Sequence, residues 1–244
     1  DFVGSRGLGD VYKRQLTMSA RTMIEKEANY TYVAARLLLD TMRSEALSHL
    51  SGETVVATQE EMSAGYSDYF KSYIKKAAQL ELIDNKLADE YDLDALGAAL
   101  LPERDYQFTY LGLQTLYDRY FIHTDDVRIE LPQAFFMRVA MGLAINEIER
   151  EKRTIEFYRL LSSFDFMSST PTLFNSGTLR PQLSSCYLTT VPDDLYGIFD
   201  AIKDDAMLSK FAGGLGNDWT QVRAMGSHIK GTNGKSQGVV PFLK

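Results

Sequence analysis

The chain has 244 residues, of which 45% are hydrophobic, enough to build one large domain or two smaller ones around a real core. Its net charge of -7 comes from acidic and basic residues spread along the sequence, which argues against a nucleic-acid polymer as the main partner. We expect a cytoplasmic protein without a membrane segment, because the sequence has neither a long apolar run nor a signal-peptide pattern. The single cysteine, Cys186, excludes an internal disulfide and a cysteine-based zinc cluster.

Most of the chain shows helical spacing of apolar residues. Residues 1–15 have no such period, so we expect a non-native or disordered leader over residues 1–17. Beyond Met18, apolar residues at helical spacing predict a helix that ends near Gly52. Further predicted helices cover residues 59–83, 86–100, 109–120, 133–144 and 147–163. Asp125 and Asp126 lie between two short alternating runs, which predicts a small hairpin.

The composition changes after Ser163, where glycine, proline, serine and threonine become frequent. This change predicts a boundary near residue 165 between a helical domain and a mixed α/β domain. In the second part we expect a strand around Cys186 and a helix over residues 194–210, followed by the glycine-rich run 213–216. Residues 223–235 combine glycines with Arg223, Lys230 and Lys235, which indicates a flexible cationic loop.

Each candidate residue has a structural interpretation beside the functional one. Cys186 is either a small buried hydrophobic residue or a redox thiol that needs a second cysteine. The hydroxyl groups between Ser168 and Ser185 suit phosphate or ribose, but single Ser and Thr residues more often stabilise turns. The glycine run is as typical of a helix-terminating turn as of a ligand loop. The three histidines show no metal-ligand spacing, so we predict no metal site.

The order of several motifs carries a resemblance. The segments STPTLFNSGTLRPQLSSCYL, SKFAGGLG and VRAMGSHIKGTNGKSQGVVPFLK, in this order, resemble the large, catalytic subunit of class I ribonucleotide reductases. Upstream, DYQFTYLGLQTLYDRYFI and LPQAFFMRVAMGLA resemble the helical domain of that family, and NYTYVAARLLL resembles the end of its ATP-cone region. The resemblance covers residues 20–244.

The resemblance implies a mainly α N-terminal domain followed by the first strands and helices of a ten-stranded α/β barrel, which is incomplete here. On this basis we divide the chain into the leader, residues 18–52 as the end of an ATP-cone-like region, residues 53–165 as the helical domain and residues 166–244 as the start of the barrel. The implied reaction is reduction of ribonucleoside diphosphates to deoxyribonucleoside diphosphates by thiyl-radical chemistry, for synthesis of DNA precursors.

The resemblance also implies roles for individual residues. Cys186 would be one of two reducing thiols, with its partner outside this chain. Thr170, Ser185 and Gly214 would contact the substrate. Four residues would bind a nucleoside triphosphate effector (dTTP, dGTP, dATP or ATP), namely Asp193, Lys210, Arg223 and Lys230.

The implied partners follow from the same resemblance. They are a second copy of the subunit, a metal-containing small subunit that supplies the radical, and thioredoxin or glutaredoxin as reductant. No cofactor is expected on this segment itself, and alone it should be inactive. Two alternatives stay open at this point: a cobalamin-dependent class II reductase, and a non-catalytic helical binding module.

Overall fold

The structure, a computed structural model, describes residues 8–210 and 213–244 and divides into two compact units, of which the first ends at Pro181 and the second is Gln182–Lys244. The first unit is nearly all helical. Its helices are α1 (Leu8–Thr22), α2 (Tyr30–Ser51), α3 (Gln59–Gln79), α4 (Lys86–Asp89), α5 (Leu93–Ala98), α6 (Tyr110–Arg119), α7 (Pro132–Ala144), α8 (Arg150–Ser162) and α9 (Thr170–Asn175). The predicted hairpin is confirmed: β1 (His123–Thr124) pairs antiparallel with β2 (Val127–Arg128), and both Asp125 and Asp126 have positive φ in the turn between them.

Local sequence signals explain where several helices begin and end. Thr58 and Glu61 form a reciprocal capping box at the start of α3. Gly52 ends α2 in the left-handed conformation, with φ of 77°. The prediction of a single helix over residues 86–100 was wrong. Asp92 interrupts it because its carboxylate accepts hydrogen bonds from the backbone N–H groups of Asp94 and Ala95, which caps the separate helix α5.

One hydrophobic core holds the first unit together. It runs from α1 and α2 through α3 to α7 and α9, with α7 buried on nearly every side. Residues of α2 such as Leu39 and Met42 are 1% exposed and share this core with Phe70 and Ile74 of α3. The core therefore continues across residue 52, where the sequence suggested a domain boundary.

A fully buried ion pair lies inside this core. Arg138 of α7 donates from Nε to Glu130 Oε1 over 2.7 Å, and both side chains have no exposed surface. Glu130 also accepts hydrogen bonds from the hydroxyl group of Tyr73 and the backbone N–H of Ile122. The Glu130 carboxylate raises the pKa of the Arg138 guanidinium, although burial opposes this effect. The many donors around the carboxylate offset the desolvation of the two charges.

The same arginine attaches α9 to the helical unit. Its Nη1 donates to the carbonyl oxygen of Ser176 over 2.6 Å, and its Nη2 donates to that of Leu173 over 3.3 Å. The Ser176 hydroxyl group donates to the carbonyl oxygen of Val139. These contacts explain why the compact unit extends to Pro181 rather than ending near residue 165, where the composition changes.

The second unit is a small β–α–β arrangement. Strand β3 (Cys186–Thr190) is followed by helix α10 (Leu195–Lys210) and strand β4 (Gly214–Asp218), which pairs parallel with β3. Val191, Ile198 and Ala201 form its buried core. A mainly helical region followed by the opening elements of an α/β domain agrees with the expected fold class.

The expectation of an unstructured leader is wrong for the residues that the structure describes, because helix α1 begins at Leu8 and packs on α2. Lys13 pairs with Asp40 of α2 over 2.6 Å, and Ala20 contributes to the hydrophobic core. Residues 1–7 lie outside the described part of the chain. Within the described ranges, no helix is both long and apolar enough to cross a membrane.

Candidate functional site

The expected redox cysteine begins strand β3 and is exposed in the second unit. Cys186 pairs in register with Gly214 of β4, and the Gly214 backbone N–H donates to the carbonyl oxygen of Ser185 over 3.0 Å. A Cβ atom added to Gly214 would lie 3.6 Å from Cys186 Sγ. Three of the predicted residues are thus brought together at the start of two adjacent strands. The exposure of Cys186 contradicts the alternative of a small buried hydrophobic residue.

In its described part, the glycine-rich run first closes a helix and then forms a strand, since the Gly213 backbone N–H donates to the carbonyl oxygen of Leu208 in α10 over 3.2 Å. Gly214–Asp218 forms strand β4, and the glycines let it lie close to the side chains of β3. A Cβ atom at Gly216 would lie 2.9 Å from Leu188 Cδ2, and one at Gly213 would lie 2.6 Å from the Tyr187 ring. Glycine is used here for close packing of neighbouring strands.

Thr170, the fourth predicted substrate or redox residue, belongs to the first unit. It is exposed in the first turn of α9, which Pro171 helps to begin. Its Oγ1 lies 3.0 Å from the hydroxyl oxygen of Tyr120. The side chain therefore has one fixed neighbour and a surface open to a ligand.

Two of the predicted effector residues bind each other in the second unit. Arg223 donates from Nε to both carboxylate oxygens of Asp193, over 3.0 and 2.8 Å, and its backbone N–H donates to Asp193 Oδ1 over 3.0 Å. The backbone hydrogen bond is the main reason that the pKa of Asp193 is lowered, with the side chain of Arg223 acting in the same direction against partial burial. The neighbouring Asp194 instead caps α10 through the backbone N–H of Gly197.

A shallow cavity of about 200 Å³ adjoins this pair and is also lined by Ile198, Ile229 and Ser236. The cationic segment beyond Arg223 folds back on itself, since His228 and Lys235 form an antiparallel bridge and Ser236 donates from its backbone N–H to Ser227. The two other predicted effector residues do not join this cavity lining. Lys230 is exposed within the folded segment, and Lys210 ends α10.

In the described ranges, no group of three or more His, Cys, Asp or Glu side chains could hold a metal ion. The chemistry available in the second unit is an exposed thiol beside the backbone of Gly214, together with a carboxylate–guanidinium pair beside a cavity. Such groups suit a redox step and a nucleotide with sugar hydroxyls and phosphates.

Comparison with protein families matches both parts of the chain in order. The model of the ribonucleotide reductase all-alpha domain matches residues 106–181, and the model of the ribonucleotide reductase barrel domain matches residues 184–244. The chain belongs to the ribonucleotide reductase large-subunit family. The change from one family domain to the next falls where the two compact units separate, between Pro181 and Gln182.

Curated family members extend the similarity over nearly the whole chain. The ribonucleoside-diphosphate reductase subunit alpha of Chlamydia muridarum is 54% identical over 93% of this chain, and that of Helicobacter pylori is 43% identical over 88%. The ribonucleoside-diphosphate reductase large chain of Schizosaccharomyces pombe is 38% identical over 93%. The chain spans 21% of the chlamydial protein and 26% of each of the other two. It therefore corresponds to a limited part of these reductase subunits.

Sequence reasoning missed two residues of the helical unit that contact Thr170 or the end of α9. Tyr120 contacts Thr170 although fifty positions separate them, and Arg138 holds the end of α9. Arg138 is the one charged residue in the mainly apolar sequence of α7. Because a buried charge requires a partner, this position could have indicated a buried ion pair.

Proposed function

We propose that this chain is a segment of the catalytic subunit of a ribonucleoside-diphosphate reductase and that Cys186 is one of its two reducing thiols. The ordered match to the all-alpha and barrel domains of the family carries the proposal. The exposed thiol, next to Ser185 and facing Gly214 across a strand pair, supports it. Parallel strands are normally covered on both faces, so the 89% exposure of Leu188 in β3 fits a sheet that further barrel strands complete.

In this function, Thr170, Ser185 and Gly214 bind the ribonucleoside diphosphate. When hydrogen replaces a ribose hydroxyl group, the hydroxyl group leaves as water, and a pair of thiols supplies the two electrons and two hydrogens by becoming a disulfide. Cys186 needs a second cysteine from another part of the full-length subunit for this step. A small dithiol protein such as thioredoxin or glutaredoxin then reduces the disulfide by thiol exchange.

Asp193 and Arg223, with Lys210 and Lys230, form the effector site in this proposal. A carboxylate accepts hydrogen bonds from ribose hydroxyl groups, and guanidinium and ammonium groups bind phosphates. A deoxynucleoside triphosphate or ATP is the matching ligand. The complete enzyme would pair two such subunits with a metal-containing small subunit that generates the radical.

The relatives do not favour the cobalamin-dependent alternative. They are named as alpha subunits, large chains or large subunits of ribonucleoside-diphosphate reductase. The name of a large or alpha subunit fits an enzyme with a separate small subunit, as in class I. A non-catalytic helical module is also disfavoured, because the family match continues through the barrel segment that contains Cys186.

The decisive experiment replaces Cys186 with serine in the full-length subunit. We expect multiple turnover with a dithiol reductant to be abolished, because serine cannot form the disulfide, while binding of the diphosphate substrate persists. Ser209 of the exposed face of α10, replaced with alanine, provides a control with normal turnover. Unchanged turnover of the Cys186→Ser variant would refute the reducing role.

A further inference from the structure

Tyr120 makes two contacts with one face of α9. Its hydroxyl oxygen lies 3.0 Å from Thr170 Oγ1, and its ring centroid lies 6.0 Å from that of Phe174. Thr170 and Phe174 are four residues apart, so they lie one above the other on the helix surface. A single tyrosine therefore contacts two residues on one face of α9, including the residue that contacts substrate in the proposed function.

The direction of the hydroxyl hydrogen bond matters for an anionic ligand. Either oxygen of the Tyr120–Thr170 pair can be the donor. A diphosphate oxygen only accepts, so Thr170 must donate its one hydroxyl hydrogen to the ligand. Tyr120 then donates to Thr170, and a hydroxyl group that accepts one hydrogen bond becomes a stronger donor in the next. The pair forms a directed chain from tyrosine to threonine to phosphate.

Both partners of this chain have fixed surroundings. The Tyr120 backbone N–H closes α6 by donating to Leu116, and the next residue, Phe121, is 4% exposed against Phe135. The C-terminal end of α9 is held by the buried guanidinium of Arg138 through the carbonyl oxygens described above. The Tyr120 backbone and the C-terminal end of α9 are therefore held in place before a ligand arrives, which reduces the ordering needed on binding.

We propose that Tyr120 is a positioning residue for substrate binding and that it acts through the hydroxyl group of Thr170. The inference rests on the proposed function, in which Thr170 contacts the diphosphate of the ribonucleotide. In this inference Tyr120 influences substrate affinity indirectly, through Thr170, and does not touch the reacting atoms.

The test is Tyr120→Phe in the full-length subunit, with CDP as substrate. Phenylalanine keeps the ring contact with Phe174 and removes only the hydroxyl group. We expect the KM for CDP and its dissociation constant to rise roughly two- to tenfold, the effect of one hydrogen bond, with kcat within about twofold of wild type. Tyr117→Phe, one turn earlier in α6, is the matched control, because the Tyr117 hydroxyl group donates to Glu45 instead. The control should leave the KM for CDP unchanged.

A double-mutant cycle with Thr170→Val separates this inference from the proposed function. We expect Thr170→Val to raise the KM and to make it insensitive to a further Tyr120→Phe change. If Thr170→Val alone leaves the KM unchanged, the proposed substrate contact of Thr170 fails. If Thr170→Val raises the KM but Tyr120→Phe does not, or if Tyr120→Phe has the same effect in both backgrounds, only the positioning role of Tyr120 is overturned.

Discussion

Replacing Asp105 with asparagine should change how the stability of the all-α unit depends on pH. Asp105 is 3% exposed in the short 3-10 turn Pro102–Gln107, and it accepts a hydrogen bond from Gln133 Nε2 over 2.7 Å. Burial raises the pKa of this carboxyl group from 3.8 to about 7, although the hydrogen bond from Gln133 and the charge of Arg43 act in the opposite direction. Removal of water thus outweighs the polar contacts around the group.

The sign of the effect follows from comparing the two states. Below the unfolded pKa of 3.8, Asp105 is protonated in both states. Between pH 3.8 and about 7 it ionises in the unfolded chain but keeps its proton in the folded chain, so stability falls as the pH rises. The rise of the pKa from 3.8 to about 7 corresponds to ~4 kcal/mol of stability lost across this window. Above the folded pKa the loss is complete and no longer changes.

Urea unfolding followed by far-ultraviolet circular dichroism, measured from pH 4 to pH 8, checks this expectation. The stability of Asp105→Asn relative to wild type should increase with pH, because asparagine stays neutral and keeps an oxygen for Gln133. Asp94→Asn is a control whose difference from wild type should stay nearly constant from pH 4 to pH 8, since the hydrogen bond from Lys71 lowers the pKa of the exposed Asp94 below 3.8 and places its titration outside this range. A constant difference between wild type and Asp105→Asn over the whole range would refute the reasoning.

Two further predictions concern the effector pair and the packing of α9. In the full-length subunit, Arg223→Ala and Asp193→Ala should each weaken dTTP binding, because charge-assisted hydrogen bonds are lost. We expect the dissociation constant for dTTP, measured by equilibrium binding, to rise about tenfold or more for Arg223→Ala. Wild-type affinity in both variants would reject the site. Gly142→Ala should destabilise the all-α unit by about 1–3 kcal/mol, since a Cβ atom there would overlap the backbone of Gly177. Gly65→Ala in α3, where a Cβ atom meets nothing within 4 Å, should instead raise the urea midpoint through better helix propensity.

Much of the helical unit could be predicted from the sequence because its elements repeat locally. Apolar spacing located α3, α6 and α7, and proline or glycine located several ends. The split between α4 and α5 was missed because the carboxylate of Asp92 competes with an otherwise continuous helical pattern. Strand β4 was missed for a different reason, since its glycines carry no side chains whose pattern could indicate a strand, and they make sense only beside Leu188 and Tyr187 of β3.

The unit boundary was placed too early because composition and packing disagree. The glycine- and serine-rich segment after Ser163 is typical of a new domain, yet Ser176 and Gly177 pack tightly on α7. Long-range contacts of this kind leave no local signal. The contacts of Arg138 also leave no local signal, because two of its partners are backbone carbonyl oxygens at the C-terminal end of α9, far along the sequence.

The pairing of Asp193 with Arg223 decides how the proposed effector site can work. At first sight the two residues satisfy each other and leave nothing for a nucleotide. Their hydrogen-bonding capacities argue otherwise, because Arg223 uses Nε for the carboxylate and one Nη2 N–H for the Asp193 carbonyl oxygen over 3.5 Å, so about three of its five N–H donors remain for a phosphate. The carboxylate in turn has about four acceptor positions and can receive a ribose hydroxyl group while it holds the arginine. The pair is thus compatible with simultaneous binding of sugar and phosphate, and the ion pair orients the guanidinium before the nucleotide binds.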